Sequence, residues 1–430
     1  MGLVSNFVFG VLLVVGIGFF VKNINKLRRN IKLGKSVEIS GPTRQRWRNM
    51  TMVALGQSKM VTRPIAGFLH LIVYIGFVVI NIEVIEIVID GLFGTHRIFS
   101  SIGPAYGVLI GTFEIFALLV FVAVVVFWTR RNVIRLKRFI SSEMKGWPKQ
   151  DGNLILYFEI ILMSLFIIMN ATDIQFQNMN SGNVISQFVA PWFEGLPLHA
   201  IERTAWWLHI IGILIFLNYL YYSKHLHILL AFPNTYFGRL TPNGQVDNLE
   251  SVTNEVKLMM DPDADPYTSQ DNSDAEPEKF GASDVFDLNR IQLLNAYTCT
   301  ECGRCTSECP ANQTGKKLSP RKIMMDTRDR LQEVGQNIDT NKGIFKTDGK
   351  QLLGDYITSE ELWACTSCNA CVESCPISIN PLSIILDMRR YLVMEQSAAP
   401  TELNTMMTNI ENNGAPWPYN QMDRLNWNKE

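Results

Sequence analysis

All eight cysteines of this 430-residue chain lie in its last third, in two copies of one pattern. The first copy is Cys299, Cys302, Cys305 and Cys309 followed by Pro310; the second is Cys365, Cys368, Cys371 and Cys375 followed by Pro376. Each reads C-x-x-C-x-x-C-x-x-x-C-P. This is the bacterial spacing for cubane iron–sulfur clusters, in which the fourth cysteine of each run ligates the other run's cluster. The close spacing lets one tight loop present three thiolates to three corners of a cluster. The fourth, at the start of a helix, crosses to the neighbour. The expected ligands are therefore Cys299, Cys302, Cys305 and Cys375 for cluster 1, and Cys365, Cys368, Cys371 and Cys309 for cluster 2. Paired zinc sites would explain the CxxC pairs but not two four-cysteine runs each closed by Cys-Pro. A disulfide framework would not cluster in this way, and no cysteine is left over.

The net charge of −1 conceals two unlike halves. Residues 1–230 carry long uncharged apolar runs, whereas residues 240–430 are polar and hold every cysteine. Clusters and unpaired thiolates need a reducing compartment, so the soluble half is expected to face the cytoplasm.

Five segments, approximately 3–21, 64–90, 105–128, 153–171 and 204–228, are apolar over a length suited to a bilayer, which takes about 20 helical residues. Between the first two, eleven Lys and Arg from Lys22 to Arg63 stand against one acid, Glu38. Between the third and fourth lie Arg130, Arg131, Arg135, Lys137, Arg138, Lys145 and Lys149. The other two loops, 91–104 and 172–200, hold one base, Arg97. The positive-inside rule then puts the N-terminus outside and the two basic loops inside, with the chain leaving the fifth segment in the cytoplasm. The charges of the first segment follow its apolar run and no small-residue cleavage site comes after it, so it reads as an anchor and not a signal peptide.

All six histidines fall in this half. His209 and His227 are eighteen residues apart, which on one straight helix is five turns, about 27 Å, with both rings on one face. On the same reading His225 points to the opposite face. His70 lies about two turns into the second segment, at the depth of His227. A haem in a helical bundle takes axial imidazoles from facing helices, so His70 with His227 is the expected pair for a b-type haem. His209 would serve a second haem in the outer leaflet. The position opposite it, Ile80, cannot ligate, which leaves His96 or His199 as its partner. A packing role is the competing reading for any one membrane histidine.

Glu83, Glu86 and Asp90 recur at helical spacing on the second segment, and Glu114 and Glu159 lie in the third and fourth. Intramembrane acids are costly and point to function. Asp90 reads as an interfacial, solvated group; for the others, proton uptake or release beside a quinone stands against solvation. Gly16-Ile17-Gly18 lies inside the first segment and reads as helix packing, not as a dinucleotide fingerprint.

From Asp247 to Asn289 there are twelve acids against Lys257 and Lys279, a composition expected of a solvated linker. Beyond it, helices are expected at Val285–Ala296, Pro320–Gln332, Ser359–Trp363 and Pro381–Met394. The expected division is a five-helix membrane domain over 1–240, an acidic linker over 241–285, a mainly α-helical dicluster ferredoxin domain over 286–398 and an aromatic tail over 399–430. The tail, with Trp417, Tyr419 and Trp427, would dock a partner, cover the clusters or pack on its own domain. The fold class is all-α: a membrane bundle with a helical 2[4Fe–4S] domain.

With Leu69-His70-Leu71 opening the second segment, and His209 and Ser223-Lys224-His225-Leu226-His227 on the fifth, the membrane half resembles the cytochrome b (gamma) subunit of respiratory nitrate reductase and the membrane subunit of heterodisulfide reductase. The soluble half is similar to the helical dicluster ferredoxins of heterodisulfide reductase and of the anaerobic glycerol-3-phosphate dehydrogenase small subunit. Their fusion resembles the N-terminal part of membrane-bound electron-transfer-flavoprotein:quinone oxidoreductases. Position 80 departs from the cytochrome pattern, and the cysteine-rich CCG domain that usually follows does not occur in these residues.

The resemblance implies a subunit of the bacterial inner membrane that relays electrons between the quinone pool and a cytoplasmic partner, either a CCG-domain iron–sulfur protein or an electron-transfer flavoprotein. Two [4Fe–4S] clusters and b-type haem would carry the electrons, with quinone as mobile substrate and no nucleic acid involved. No site for a soluble substrate is evident. A formate dehydrogenase- or hydrogenase-type cytochrome subunit differs from this mainly in partner; a membrane redox sensor would need an output module.

Overall fold

The computed structural model describes residues 2–261 and 279–429, so much of the expected acidic linker lies outside the described residues. Five helices are long and apolar enough to cross a membrane: Leu3–Ile31, Pro64–Phe93, Pro104–Asn132, Trp147–Thr172 and Leu198–Tyr219, the last extended by a tight turn to Tyr222. At about 1.5 Å per residue, the four longest run about 39–45 Å, more than the roughly 30 Å hydrocarbon core requires. Proline opens or nearly opens three of them, where its missing N–H costs nothing. The second helix packs on the third, the third on the fourth and the fourth on the fifth; the first lies across the second and fifth. Gly16 permits that last crossing, since a Cβ there would sit 3.1 Å from Leu214, and its carbonyl accepts from Asn218 at 3.0 Å. The Gly16 stretch is helix packing, as its sequence implied.

The fifth helix does not continue to His227. It ends in the turn Leu220–Tyr222, breaks at Ser223 (φ −111°, ψ 148°) and resumes as a separate helix, His227–Tyr236. Ser223 Oγ accepts the backbone N–H of His225, so a hydroxyl that caps a new turn replaces a helical carbonyl. The five-turn argument linking His209 to His227 therefore fails. His225 is not on an opposite face either: its ring lies 5.3 Å from that of His227.

In the soluble half Ser359–Trp363 and Pro381–Met394 have the expected bounds, while Arg290–Thr298 begins later and Pro320–Thr340 runs further than read from sequence. Capping explains the starts. Asn289 with Gln292, and Thr358 with Glu361, form reciprocal caps, and Ser319 and Asn380 cap helices with proline at the first position.

The two halves share one core. Leu27, Phe216, Leu220 and Leu226 of the membrane half join Leu288, Leu293, Ile323, Leu331, Ile384 and Met388 in one apolar cluster. Polar contacts rim it: Asn30 Nδ2 donates to Tyr297 Oη at 2.9 Å, Asn234 Nδ2 to the Ile377 carbonyl at 2.8 Å, and Asp339 pairs with Lys26 and Arg29. Both basic loops meet the ferredoxin domain. Arg63 bonds Ser307 and Glu308, and Arg321 bonds the Arg138 carbonyl, Ser141 and Glu143. Both thus lie at the end of the bundle where the cysteines are. The aromatic tail forms a helix, Thr401–Asn413, and two short turns, none of them with a buried residue.

Candidate functional site

The two cysteine runs fold into the same loop. The residue before the second cysteine and the residue after it are left-handed in both copies: Glu301 (φ 54°) and Gly303 (φ 72°), Ser367 (φ 54°) and Asn369 (φ 62°). Left-handed non-glycine residues are strained and persist where the surroundings impose them. Here they curl the chain so that three thiols turn inward.

All eight cysteines are free. Cys299, Cys302, Cys305 and Cys375 line one cavity, together with Cys371, Arg304, Arg321 and Pro376. Burial, then the thiolates of Cys365, Cys309 and Cys368, push Cys371 up to about 12. Burial, then Cys302, push Cys375 up to about 11. Each fourth cysteine thus lies near cysteines of the opposite run. Among the described residues, no three His, Cys, Asp or Glu side chains converge closely enough for a single metal ion. Crowded thiols around a space wider than one ion are what a four-iron cubane fits. Backbone N–H groups point at sulfur from Ser367 to Cys365 (3.4 Å) and from Ile379 to Cys375 (3.3 Å), the kind of contact that tunes a cluster's potential.

Cys368 of the second run is open to solvent; Cys299, Cys309 and Cys371 are buried and the other four cysteines are partly buried. Beside the first run, Arg304 donates to the carbonyls of Lys59 and Met60, both at 3.0 Å, just ahead of the helix that carries His70.

His70 and His227 come together, with ring centroids 6.4 Å apart and planes tilted by 41°. Two imidazole nitrogens each about 2 Å from one metal would set their centroids about 6 Å apart. His227 Nδ1 meets the Lys224 carbonyl at 3.2 Å, which leaves Nε2 free; His70 Nδ1 is buried without a partner. Two imidazoles at this spacing suit ligation of one metal-centred group, and the carbonyl behind His227 is the usual device for fixing the tautomer of a ligating imidazole. His225 completes a three-ring cluster against Phe216, 5.4 Å away.

His209 lies elsewhere, buried, with Nδ1 unpartnered and the Phe166 ring 6.1 Å away. Ile80, Phe166, Met169, Trp206 and Ile210 belong to one apolar core in this part of the bundle. His96 is drawn to Asp173 at 3.2 Å and His199 is exposed. Among the described residues no histidine ring faces His209.

At the outer end the acids form a network that sequence reasoning reads only in part. Asp90 is buried and not solvated: it accepts from the N–H groups of Arg97 (2.6 Å) and Ile98 (3.2 Å) and from Thr95 Oγ1. Arg97, in sequence a lone loop base, is buried and donates to Asp173 (2.7 Å), Asn170 (2.9 Å) and Tyr106 (3.3 Å). Glu86 accepts from Tyr106 and the Phe99 N–H, and Glu114 from Asn170, Ile185 and Ser186. Glu83 Oε2 is buried without a partner. Glu159 stands apart, half-buried on the fourth helix. The sequence signal for Arg97 was a single base in loops otherwise free of bases.

The family model of the 4Fe-4S dicluster domain matches residues 298–379. Over 433 residues the chain is 29% identical to the probable iron-sulfur-binding oxidoreductase FadF of Bacillus subtilis (strain 168), covering 93% of this chain and 57% of that protein. It is 25% identical over 410 residues to the EtfAB:quinone oxidoreductase of Syntrophomonas wolfei, covering 87% of this chain and 52% of the relative. The soluble part is 31% identical over 120 residues to a ferredoxin/F(420)H(2)-dependent CoB-CoM heterodisulfide reductase subunit of Methanosarcina acetivorans, covering 28% of this chain and 60% of that polypeptide. No solved structure gives a significant match. The class these observations define is an iron–sulfur electron-transfer protein with a bundle of membrane-length helices. The chain spans about half the length of the first two relatives.

Proposed function

We propose that this protein relays electrons between a water-soluble redox partner on the ferredoxin side and the quinone pool. One observation carries the reading: the His70–His227 pair lies directly behind the first cysteine loop, joined to it through Lys224. The carbonyl of Lys224 meets His227 Nδ1 and its ammonium rests on Glu301, the neighbour of Cys302.

When bound, two [4Fe–4S] clusters and one b-type haem would supply the one-electron chemistry. The chain's own residues set the order. Cys365, Cys368, Cys371 and Cys309 form the solvent-side site, where exposed Cys368 lets a partner approach. Cys299, Cys302, Cys305 and Cys375 form the inner site, and Arg304 and Lys224 hold it against the membrane helices. His70 and His227 continue the line into the bundle. His209, without a histidine opposite it, is left out of this route.

The partner is an electron-transfer flavoprotein or a CCG-domain iron–sulfur protein. The aromatic tail, exposed at Trp417 and Trp427, offers it a docking segment. The basic loops on the cysteine side support, by the positive-inside rule, an orientation with that side in the cytoplasm of a bacterial inner membrane. The similarity to a quinone oxidoreductase supports quinone as the membrane substrate. The test is a redox titration of the purified chain by optical and electron-spin spectroscopy. It should give b-type haem bands and two magnetically interacting [4Fe–4S] signals. Protein without Soret absorbance would remove the haem, and far fewer than about eight irons per chain would remove the relay.

A further inference from the structure

Between the third and fourth long helices, at the ferredoxin end of the bundle, an open groove of about 490 Å³ is lined by Arg131, Arg135, Lys145 and Lys149 together with Phe139 and Ile140. Among the described residues none of these four cations is ion-paired. The two acids of the same stretch are engaged elsewhere: Glu143 with Arg321 and Ser319, Asp151 with Tyr219 and Lys224. Arg131 donates only to the carbonyls of Pro148 (3.0 Å) and Lys149 (3.2 Å), and its Nε is buried without a partner. Arg131 also feels the carboxylates of Asp151 and Glu301; Arg135, Lys145 and Lys149 are exposed and repel one another unless an anion lies among them.

Ile140, which lines the groove, and Val133 and Ile134, which adjoin Arg135 in the chain, are each more than half exposed, where membrane-length helices end and the polar loop begins. Arg135 is held with φ 52°, a left-handed conformation that costs an arginine strain and is kept where the surroundings impose it. A site with clustered cations beside bare aliphatic chains suits a molecule that is anionic at one end and apolar at the other.

We propose that this groove binds the phosphate head group of an anionic phospholipid, with the acyl chains running along Ile134 and Ile140 into the bilayer. Arg131, Arg135, Lys145 and Lys149 supply charge-assisted hydrogen bonds to the phosphate oxygens. The site has a structural consequence, because the other side of the same loop grips the cluster domain. Arg321, which lines the inner cysteine cavity, donates to the Arg138 carbonyl at 2.6 Å and to Ser141 Oγ at 2.8 Å. A lipid seated in the groove fixes the loop on which the ferredoxin domain stands. Lipid binding here does not depend on the quinone or haem reading.

The test uses the full chain in detergent, titrated with phosphatidylglycerol and, separately, phosphatidylcholine, with bound lipid counted by native mass spectrometry. Wild-type protein should hold phosphatidylglycerol well above phosphatidylcholine. The triple variant Arg135→Gln, Lys145→Gln, Lys149→Gln should weaken phosphatidylglycerol binding on the order of 100-fold, at about fivefold per surface charge removed. A control that removes three exposed bases of the other basic loop, Lys22→Gln, Arg28→Gln, Lys32→Gln, should leave binding unchanged. Equal affinity of wild-type protein for the two lipids overturns the proposal even if the triple variant fails to fold. Equal loss in the control overturns it too, since charge alone would then suffice. Displacement of the lipid by millimolar inorganic phosphate would make the groove a free-phosphate site and overturn the lipid assignment.

Discussion

The ammonium of Lys224 rests on the carboxylate of Glu301, and this ion pair ties the loop bearing His227 to the loop bearing Cys302. Both side chains are almost fully buried, at 9% and 2% exposure. Glu301 also takes Arg328 at 2.7 Å, and Lys224 lies 3.7 Å from Asp151. Burial works to raise the Glu301 carboxyl; Arg328 and Lys224 more than offset this and hold it below its ordinary range. Lys224→Met leaves two carboxylates facing each other with one cation fewer. The expected loss is about 3 kcal/mol, at the low end for a broken buried pair because Arg328 remains. Thermal unfolding followed by cluster absorbance checks it, and Lys224→Arg should recover part of the loss.

Crossed ligation makes the fourth cysteines diagnostic. Cys309→Ser should destroy the cluster held by Cys365, Cys368 and Cys371, although Cys309 belongs to the first run. Cys375→Ser should destroy the cluster of Cys299, Cys302 and Cys305. In each case iron should fall from about eight to about four per chain, and the surviving electron-spin signal should differ between the two variants. Loss of the cluster of the same run would contradict the facing seen around Cys371 and Cys375.

The cysteine sites are legible because their spacing is local: one loop repeated, with a Cys-Pro helix start that leads the fourth thiol across. The five long helices are legible for a similar reason, since length and apolarity fix them without reference to partners. What escapes is tertiary. Ser223 reads as an ordinary residue in an apolar run, and only the fold shows that its hydroxyl begins a new turn and swings His225 and His227 out of the helical register of His209. The pairing of His70 with His227 follows all the same from depth in the bundle, while the straight-helix argument beside it fails. Asp90 is misread from sequence, and Arg97 shows there only as a lone loop base, because burial of a charge depends on partners distant in the chain that the sequence does not name.

The proposed haem site predicts a split between the partly buried His70 and the buried His209. His70→Ala should abolish b-type haem, because one imidazole of the pair is removed and His227 alone faces the gap. His209→Phe should keep the haem and cost modest stability, since the ring already packs on Phe166 in an apolar layer. Haem extracted and counted by the pyridine haemochrome method separates the two outcomes.

Glu143 gives a pH signature at the joint between the halves. Burial works to raise its carboxyl, and the Arg321 guanidinium with Ser319 brings it below its ordinary 4.5. A carboxylate whose folded pKa is depressed contributes fully above its unfolded value and loses that contribution as pH falls through the folded one. Glu143→Gln should therefore melt lower than wild type by an amount that is constant at every pH above 4.5, about 1–3 kcal/mol for a hydrogen bond to a buried charge. The gap should close only in more acidic solution. A gap that changes near neutral pH would place the effect on another group.

The outer end should fail independently of the inner one. Arg97 joins Asp173, Asn170 and Tyr106, and its guanidinium stands 4.3 Å over the Phe176 ring, so one side chain ties the loop after the second helix to the third and fourth. Arg97→Gln strands the Asp173 carboxylate, which is held well below its usual range: burial works against this, and hydrogen bonds from His96 and Arg97 overcome it. The expected cost is about 3–5 kcal/mol. Arg97→Lys should recover less than half, because an ammonium cannot reproduce a planar fork that meets three partners at fixed angles. Below the melting transition both variants should keep wild-type cluster and haem spectra, since none of the partners of Arg97 touches the cysteines or the His70–His227 pair. A shifted haem spectrum in Arg97→Gln would mean that the outer network reaches the redox line after all, by way of Glu83, which lines a cavity with Asp90, Arg97 and Asp173 and whose Oε2 is buried without a partner.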